Sequence, residues 1–376
     1  MNSVTGAVAA EAAVVRELGK PFQIESIEVA PPRDYEVRVR IVGVGICHTD
    51  LVVRDGFNVP APVVLGHEGS GVVESVGSKV SRVKVGDHVV LSYNSCGHCS
   101  ACNDERPPFC LGFYPHNFSG VRPDDGSSPL SSKGAMLHGN FFGQSSFATY
   151  AIAHERNTVV VDKSLPLEIL GPLGCGIQTG AGTVANALGL KKGQSVAIFG
   201  GGAVGLAGLL AAVALEAATI IVIEINPERG QLAKNLGATH VINPQETPDV
   251  LAAIKVAAGG GVTHAMDSTG RPAVIETAFQ TLLPGGMLGL IGVPPPDGTL
   301  NINLMDLLLR GVGVRCIMEG NADPQLFIPQ MLRWYQEGKF PLDRLVQKFK
   351  FSEINEACHA SESGSAIKPV LVMDQS

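Results

Sequence analysis

Residues 195–224 read "SVAIFGGGAVGLAGLLAAVALEAATIIVIE", and this stretch decides the fold. "SVAIF" is a short apolar run of the buried-strand kind, and "TIIVIE" is a second one rich in β-branched residues. Between them "GAVGLAGLLAAVALEA" has no proline and is dominated by Ala and Leu, which reads as a helix. At the join stand Gly200, Gly202 and Gly205 in G-x-G-x-x-G spacing, and Glu224 closes the second strand nineteen residues after Gly205. Gly200 permits the turn, Gly202 lets a backbone approach a pyrophosphate, and Gly205 lets helix and strand pack closely. In a chain with 45 glycines the spacing alone would be weak. The strand before it and the helix after it make it a dinucleotide-binding turn, with free N–H groups of the helix start offered to the phosphates. A carboxylate at Glu224 accepts hydrogen bonds from ribose hydroxyls and repels a 2′-phosphate, so NAD is the expected cofactor. Arg229, five residues on, could approach the same ribose and leaves NADP open.

Downstream the alternation continues through "NPERGQLAKNLGA", "HVIN", "PDVLAAIKVAA", "THAMDSTG", "PAVIETAFQTLL" and "MLGLIGV". Strand and helix in such regular succession predict βαβ units and a doubly wound parallel sheet, an α/β fold. Upstream, Phe22 to about Val90 is different: "YEVRVRIVGVGI" alternates as a strand should, and "VGDHVVL" is a turn entering a strand. That region predicts a strand-rich domain. From about Leu111 to Gly143 periodicity is lost, and "SGVRPDDGSSPLSSKG" reads as a polar loop. After about Glu319 the pattern is mixed again, which would let the chain return to its first domain.

The chain has 376 residues, 45% apolar and 17% charged, enough for two domains with substantial cores. The net charge of −7, without a long basic run, argues against nucleic acid or an anionic membrane as partner. The start "MNSVTGAVAAEAAVV" lacks a basic beginning and is interrupted by Glu11, so it is a poor signal peptide. The longest apolar run, Ala203 to Leu215, is too short to span a membrane. A cytoplasmic protein is expected, and there clustered cysteines are metal ligands sooner than disulfides.

Four of the eight cysteines fall in "CGHCSACNDERPPFC": Cys96, Cys99, Cys102 and Cys110. Four thiolates on one short loop suit a closed tetrahedral zinc site, which staples a lobe and performs no chemistry. A ferredoxin-type cluster would place its fourth cysteine three residues after the third, followed by proline; here the gap is longer and Leu111 follows. A second set is dispersed: Cys47 in "GICHTD", His67 and Glu68 in "LGHEGSG", and Cys175 in "GPLGCGIQTG". Two thiolates and an imidazole would leave zinc one open position, as a catalytic site requires. Spacing alone does not separate that set from buried filler. Cys316 and Cys358 read as buried apolar filler.

Taken together, these motifs resemble the zinc-dependent medium-chain alcohol dehydrogenases along nearly the whole chain. "GHEGSGVVESVGSKV", residues 66–80, fits that family's signature, and the four-cysteine lobe, the nucleotide turn and "GCGIQTGAG" follow in family order. "CHTDLVVRDG", "LGHEGSG", "NFSG" and "QSSFATYA" look most like the bacterial aryl (benzyl) alcohol dehydrogenases. The resemblance implies a GroES-like β-barrel catalytic domain over residues 1–176 and 320–376 and a Rossmann domain over 177–319. It implies two zinc ions per subunit, NAD, an alcohol–aldehyde substrate pair and a homodimer or homotetramer. Cys47, His67 and Cys175 match the catalytic zinc ligands, with Glu68 beside them as an occasional or exchange ligand.

Asp50 matches the carboxylate that orients the histidine ligand, and Thr49 the hydroxyl that bonds the alcohol and begins a proton relay. His48 matches a pyrophosphate contact. Further cofactor contacts are implied at Thr179, Ala203, Val204, Ile291, Val293 and Lys368. One position departs: where some relatives end the relay in histidine, this chain has Val52, which leaves His48 or the ribose to carry the last proton. Tyr93, Phe118, Phe141, Phe142 and Val293 are the implied substrate wall, and aromatic walls suit benzyl or allylic alcohols. Terpene or aliphatic primary alcohols are the alternative on the same scaffold. The rival readings are a zinc-free quinone or enone reductase, a zinc-ribbon nucleic-acid binder and a non-catalytic cofactor-binding protein. The first should lack Cys47, His67 and Cys175, and all three are present.

Overall fold

Alternating apolar residues build the first unit of the computed structural model, which describes residues 6–374. Its strands are β1 (Val8–Val15), β2 (Gln23–Val29), β3 (Glu36–Gly45), β4 (Val63–Val64), β5 (Gly69–Val76), β6 (His88–Leu91), β7 (Leu130–Ser132), β8 (Ala135–Leu137), β9 (Tyr150–His154) and β10 (Thr158–Val161). One sheet runs β4-β1-β2-β7-β8, and a second contains β10-β6-β5-β3 with β9 also on β3. β3 departs from simple alternation at Arg38, which is fully buried and donates to the Gly6 carbonyl at 2.9 Å.

The expected polar loop is partly ordered. β7 and β8 form a hairpin whose corner residues Lys133 (φ 51°) and Gly134 (φ 76°) are both left-handed. Strands of three residues are too short to show a period, and Lys133 lacks the Asn or Asp that announces such a turn.

The second unit begins at Gly176. Its strands β11 (Ser195–Phe199), β12 (Thr219–Ile223), β13 (His240–Ile242), β14 (Val262–Asp267), β15 (Leu282–Leu290) and β16 (Gly313–Cys316) are all parallel, in the order β13-β12-β11-β14-β15-β16. Counted from β11 this is 3-2-1-4-5-6, the order of a doubly wound dinucleotide-binding sheet. The strands are continuous apolar runs because helices cover a parallel sheet on both faces. The helix Ala203–Ala214 is accordingly apolar nearly all round. Asn226 caps the helix Pro227–Asn235 by accepting from the backbone N–H groups of Glu228 and Arg229.

The chain then returns to the first unit through Asp323–Pro329 and, from Val346 on, through β17 (Val346–Lys350) and β18 (Lys368–Val372). β18 pairs antiparallel with β3, setting Val370 opposite Gly45. The return differs from the expected single segment 320–376, because Gln330–Leu345 groups with the second unit. Its turn Leu342–Leu345 packs on the helix Ala203–Ala214, burying Leu342 and Leu345. Cys358 is buried as expected, but Cys316 is exposed, since it ends β16 at the edge of the parallel sheet. Among the described residues no helix is long and apolar enough to cross a membrane.

Candidate active site and metal centres

Asp50 organises the dispersed set. It occupies the third position of the helix His48–Arg54, whose N-cap is Cys47, and its Oδ2 accepts from the Cys47 backbone N–H at 3.0 Å. Its Oδ1 accepts from the Gly66 N–H at 3.0 Å and lies 2.8 Å from His67 Nδ1. One fully buried carboxylate thus registers Cys47 and His67 against each other. With Nδ1–H donating to Asp50, the lone pair of His67 falls on Nε2, which is buried and has no hydrogen-bond partner. The ligand atoms of Cys47, His67, Glu68 and Cys175 lie within 4.8 Å of one another. An orphaned imidazole nitrogen among two sulfurs and a carboxylate is what a tetrahedral zinc shell leaves when its ligands are in place.

Glu68 is held by Lys368, whose Nζ donates to both carboxylate oxygens and to the Ile46 carbonyl, each at 3.0 Å. The strand pairing of β18 with β3 brings that lysine in. Only glycine fits at position 45, because a Cβ there would lie 2.0 Å from Glu68 Oε2. Burial lifts the Glu68 carboxyl above the usual carboxylate range despite the lysine. Burial would lower Lys368, but the charge of Glu68 and then of Cys47 holds it above the ordinary lysine value. The pair therefore stands as a buried ion pair. Lys368, expected at the cofactor, directs its donors to Glu68 and Ile46. The Cys47 thiol is pulled well below its ordinary value, first by its hydrogen bond with Cys175 and, against burial, by the charge of His67.

The four clustered cysteines converge as the spacing requires, all as free thiols. Sulfur–sulfur distances are 3.6 Å for Cys99–Cys102, 3.9 Å for Cys96–Cys102 and 3.9 Å for Cys99–Cys110. A tetrahedron with Zn–S bonds of about 2.3 Å has edges of about 3.8 Å. Backbone N–H groups of Cys96, Cys99 and Leu111 point at the sulfurs of Cys110, Cys96 and Cys99. Hydrogen bonds from the Cys102 and Leu111 backbone pull Cys99 down to about 6, while burial pushes Cys110 up to about 12. A divalent cation resolves that split by letting all four ionise together.

Aromatic rings close over His67. The Phe142 ring stacks on the imidazole at 4.4 Å between centroids, and Phe141 meets it edge-on at 5.3 Å. Phe118 packs against both phenylalanines, at 5.9 and 5.0 Å. Tyr93 reaches the cluster through Phe113, a ring that sequence reasoning missed. Thr49 is half-buried, with Oγ1 3.8 Å from Cys47 Sγ, while His48 and Val52 are exposed.

The relatives fit this geometry. A family model described as an alcohol dehydrogenase GroES-like domain matches residues 33–163, and one described as a zinc-binding dehydrogenase matches residues 203–337. Geraniol dehydrogenase of Castellaniella defragrans is 54% identical over 99% of this chain and 100% of its own length. The chain belongs to the zinc-dependent medium-chain alcohol dehydrogenases. Two solved structures are similar to this dehydrogenase throughout. An alcohol dehydrogenase zinc-binding domain protein from Burkholderia ambifaria has 47% identity and a TM-score of 0.96, covering 98% of this chain and 100% of its own. Benzyl alcohol dehydrogenase from Acinetobacter calcoaceticus has 45% identity and a TM-score of 0.93, covering 97% and 99%.

In the second unit of the dehydrogenase, the glycine turn is open where a phosphate would approach. Gly200 is left-handed at φ 99°, and a Cβ on Gly205 would lie 1.9 Å from the Gly200 carbonyl oxygen. Gly202 caps the helix Ala203–Ala214 and has open space beside it. Ala203 and Val204 form its half-buried first turn. Glu224 folds back on this turn: Oε2 accepts from Gly201 N–H at 2.5 Å and Oε1 from Asn226 N–H at 2.7 Å. Arg229 lies in the first turn of the next helix, half-buried. Thr179 is buried in the helix Gly176–Gly182, Ile291 is half-buried beyond β15, and Val293 is 79% exposed in this unit.

Proposed function

We propose that this dehydrogenase oxidises primary allylic or aryl alcohols to aldehydes with NAD as hydride acceptor, reversibly. The observation that carries the substrate class is the stack of Phe142 on His67, backed by Phe141 and Phe118. A flat, conjugated alcohol presented to that imidazole meets ring faces and edges over its whole width, whereas a saturated chain meets them only in part. The names of two relatives, geraniol dehydrogenase and benzyl alcohol dehydrogenase, point the same way.

Zinc held by Cys47, His67 and Cys175 would supply Lewis acidity toward an alcohol, and NAD would take the hydride. The chain's own residues do the rest. Asp50 keeps the His67 proton on Nδ1, so that Nε2 stays available as a ligand. Thr49 Oγ1, beside Cys47, takes the alcohol proton and must pass its own onward, by way of His48 or the cofactor ribose since Val52 cannot serve. Lys368 neutralises Glu68, so a third negative ligand does not crowd the two thiolates. Glu224 prefers a ribose with a free 2′-hydroxyl, which favours NAD over NADP. Cys96, Cys99, Cys102 and Cys110 would hold a second zinc that braces the lobe.

Initial rates with NAD test the reading on three pairs: geraniol against citronellol, benzyl alcohol against cyclohexylmethanol, and cinnamyl alcohol against 3-phenylpropanol. A kcat/KM at least about ten-fold higher for the conjugated member of each pair is expected, the scale of one good ring contact. Equal values, or a preference for the saturated members, would transfer the enzyme to aliphatic alcohols.

A further inference from the structure

Residues 141–146 wrap His67 on two sides, and their backbone is held in an unfavourable shape. Phe142 (φ 51°) and Ser145 (φ 53°) are left-handed without being glycine, with left-handed Gly143 (φ 62°) beside Phe142. Such backbone persists only where the surroundings impose it, and it gathers at functional sites. Here buried polar side chains impose it. Ser145 Oγ accepts from the Phe141 N–H at 2.9 Å and donates to the Val64 carbonyl at 2.7 Å. Asn157 donates to the carbonyls of Phe142 and Gly143 at 3.4 and 3.3 Å.

Gln144 is the centre of this loop, 1% exposed and satisfied at all four positions of its amide. Its Nε2 donates to the His67 carbonyl at 2.9 Å and to the Ser92 carbonyl at 3.2 Å. Its Oε1 accepts from the Gly69 N–H at 3.1 Å and from Ser146 Oγ at 2.8 Å. Ser92 in turn donates through Oγ to the carbonyl of Gly174 at 2.6 Å, the residue before Cys175. One side-chain amide therefore joins the peptide of His67 to Ser92, which lies just past the end of β6 and holds the carbonyl of the residue before Cys175, and the same loop sets Phe142 over the imidazole.

We propose that Gln144 is a positioning residue that fixes the spacing of His67 and Cys175, and so the geometry and retention of the metal between them. The proposal rests on reading Cys47, His67 and Cys175 as metal ligands. Asp50 orients the ring of His67 from one side, and Gln144 fixes its backbone from the other. Only an amide fits, because two carbonyls must be donated to and two donors accepted from at once. A carboxylate of the same size would set its oxygens against the carbonyls of His67 and Ser92.

The test compares wild type, Gln144→Glu and Ser146→Ala, each stripped and reloaded with cobalt(II). Visible spectra report ligand geometry, and a chelator chase reports how fast each of the two metals leaves. In Gln144→Glu the metal of the four cysteines should be retained, while the other is lost about 10- to 100-fold faster with a shifted cobalt band, the usual scale for outer partners of metal ligands. Ser146→Ala removes one donor to the Gln144 oxygen at nearly constant volume. It should shift the same readouts by about five-fold, which keeps the test open should Gln144→Glu not fold. A folded Gln144→Glu, or failing that Ser146→Ala, with wild-type spectrum and chase would overturn the role of Gln144. Wild type binding only the four-cysteine metal would overturn the ligand reading itself, a separate result.

Discussion

His67 and Asp50 face each other at 2.8 Å, and neither side chain has any exposed surface. No solvent can replace a bond lost at that contact. The same carboxylate also holds the backbone of Cys47 and Gly66, so it acts on ring orientation, tautomer and helix start together. Asp50→Asn removes the negative charge and offers one acceptor oxygen where three donors point. It should lower zinc affinity at the catalytic site, or kcat/KM, by about 10- to 100-fold while the four-cysteine site stays loaded. Zinc content after graded chelation, read beside initial rates, checks this.

The two sulfur clusters should separate on mutation. Cys102→Ser breaks a closed shell and leaves the thiols of Cys96, Cys99 and Cys110 within 4.8 Å of one another without their cation. It should cost one zinc per chain and lower the denaturation midpoint, since structural zinc contributes directly to folding. Cys175→Ser should also cost one zinc and abolish turnover, yet leave the midpoint and NADH binding nearly as in wild type. Equal destabilisation by both changes would refute the division into a bracing and a reacting metal.

Cofactor choice turns on Glu224. Its oxygens are presented at the glycine turn by the N–H groups of Gly201 and Asn226. Wild type should favour NAD over NADP in kcat/KM by about ten-fold or more, the worth of one charged hydrogen bond. Glu224→Ser should shrink that ratio toward unity. A wild-type preference for NADP would show Arg229 outweighing the carboxylate.

Acid sensitivity has an identifiable source in His154. Burial, then the charge of Arg156, lowers it to about 4, and its Nδ1 accepts from the Arg156 N–H, a role that protonation ends. Burial lowers His116 and His264 as well. A histidine with a depressed folded pKa binds fewer protons folded than unfolded, so stability is fully present above the unfolded value near 6.5. It is lost as pH falls from there toward about 4. His154→Gln should remove about 1–2 kcal/mol of the stability difference between pH 7.5 and pH 4.5, a linkage value discounted for the ring's partial exposure. Denaturant midpoints at the two pH values measure it, and an unchanged difference would clear His154.

The nucleotide turn and the four-cysteine loop were legible in the chain because their requirements are local. A left-handed Gly200, a Gly205 without a Cβ and sulfurs a few residues apart are conditions on short stretches of backbone, and a short stretch spells them out. The parallel sheet followed from the same kind of signal, repeated. The set of Cys47, His67 and Cys175 was not legible from spacing, since residues so far apart in sequence obey no local rule; resemblance suggested it, and strand pairing brings it together. Phe113 gave no signal, and Gln144 stood only as the first residue of "QSSFATYA", with nothing to mark its role. A buried amide is indistinguishable in sequence from an exposed one until its four partners are known. Lys368 meets Glu68 because β18 pairs with β3, Gln330–Leu345 leaves the first unit because Leu342 and Leu345 find cover elsewhere, and Cys316 is exposed because β16 is an edge. Each of these was decided by burial between segments distant in the chain, which only the folded molecule specifies.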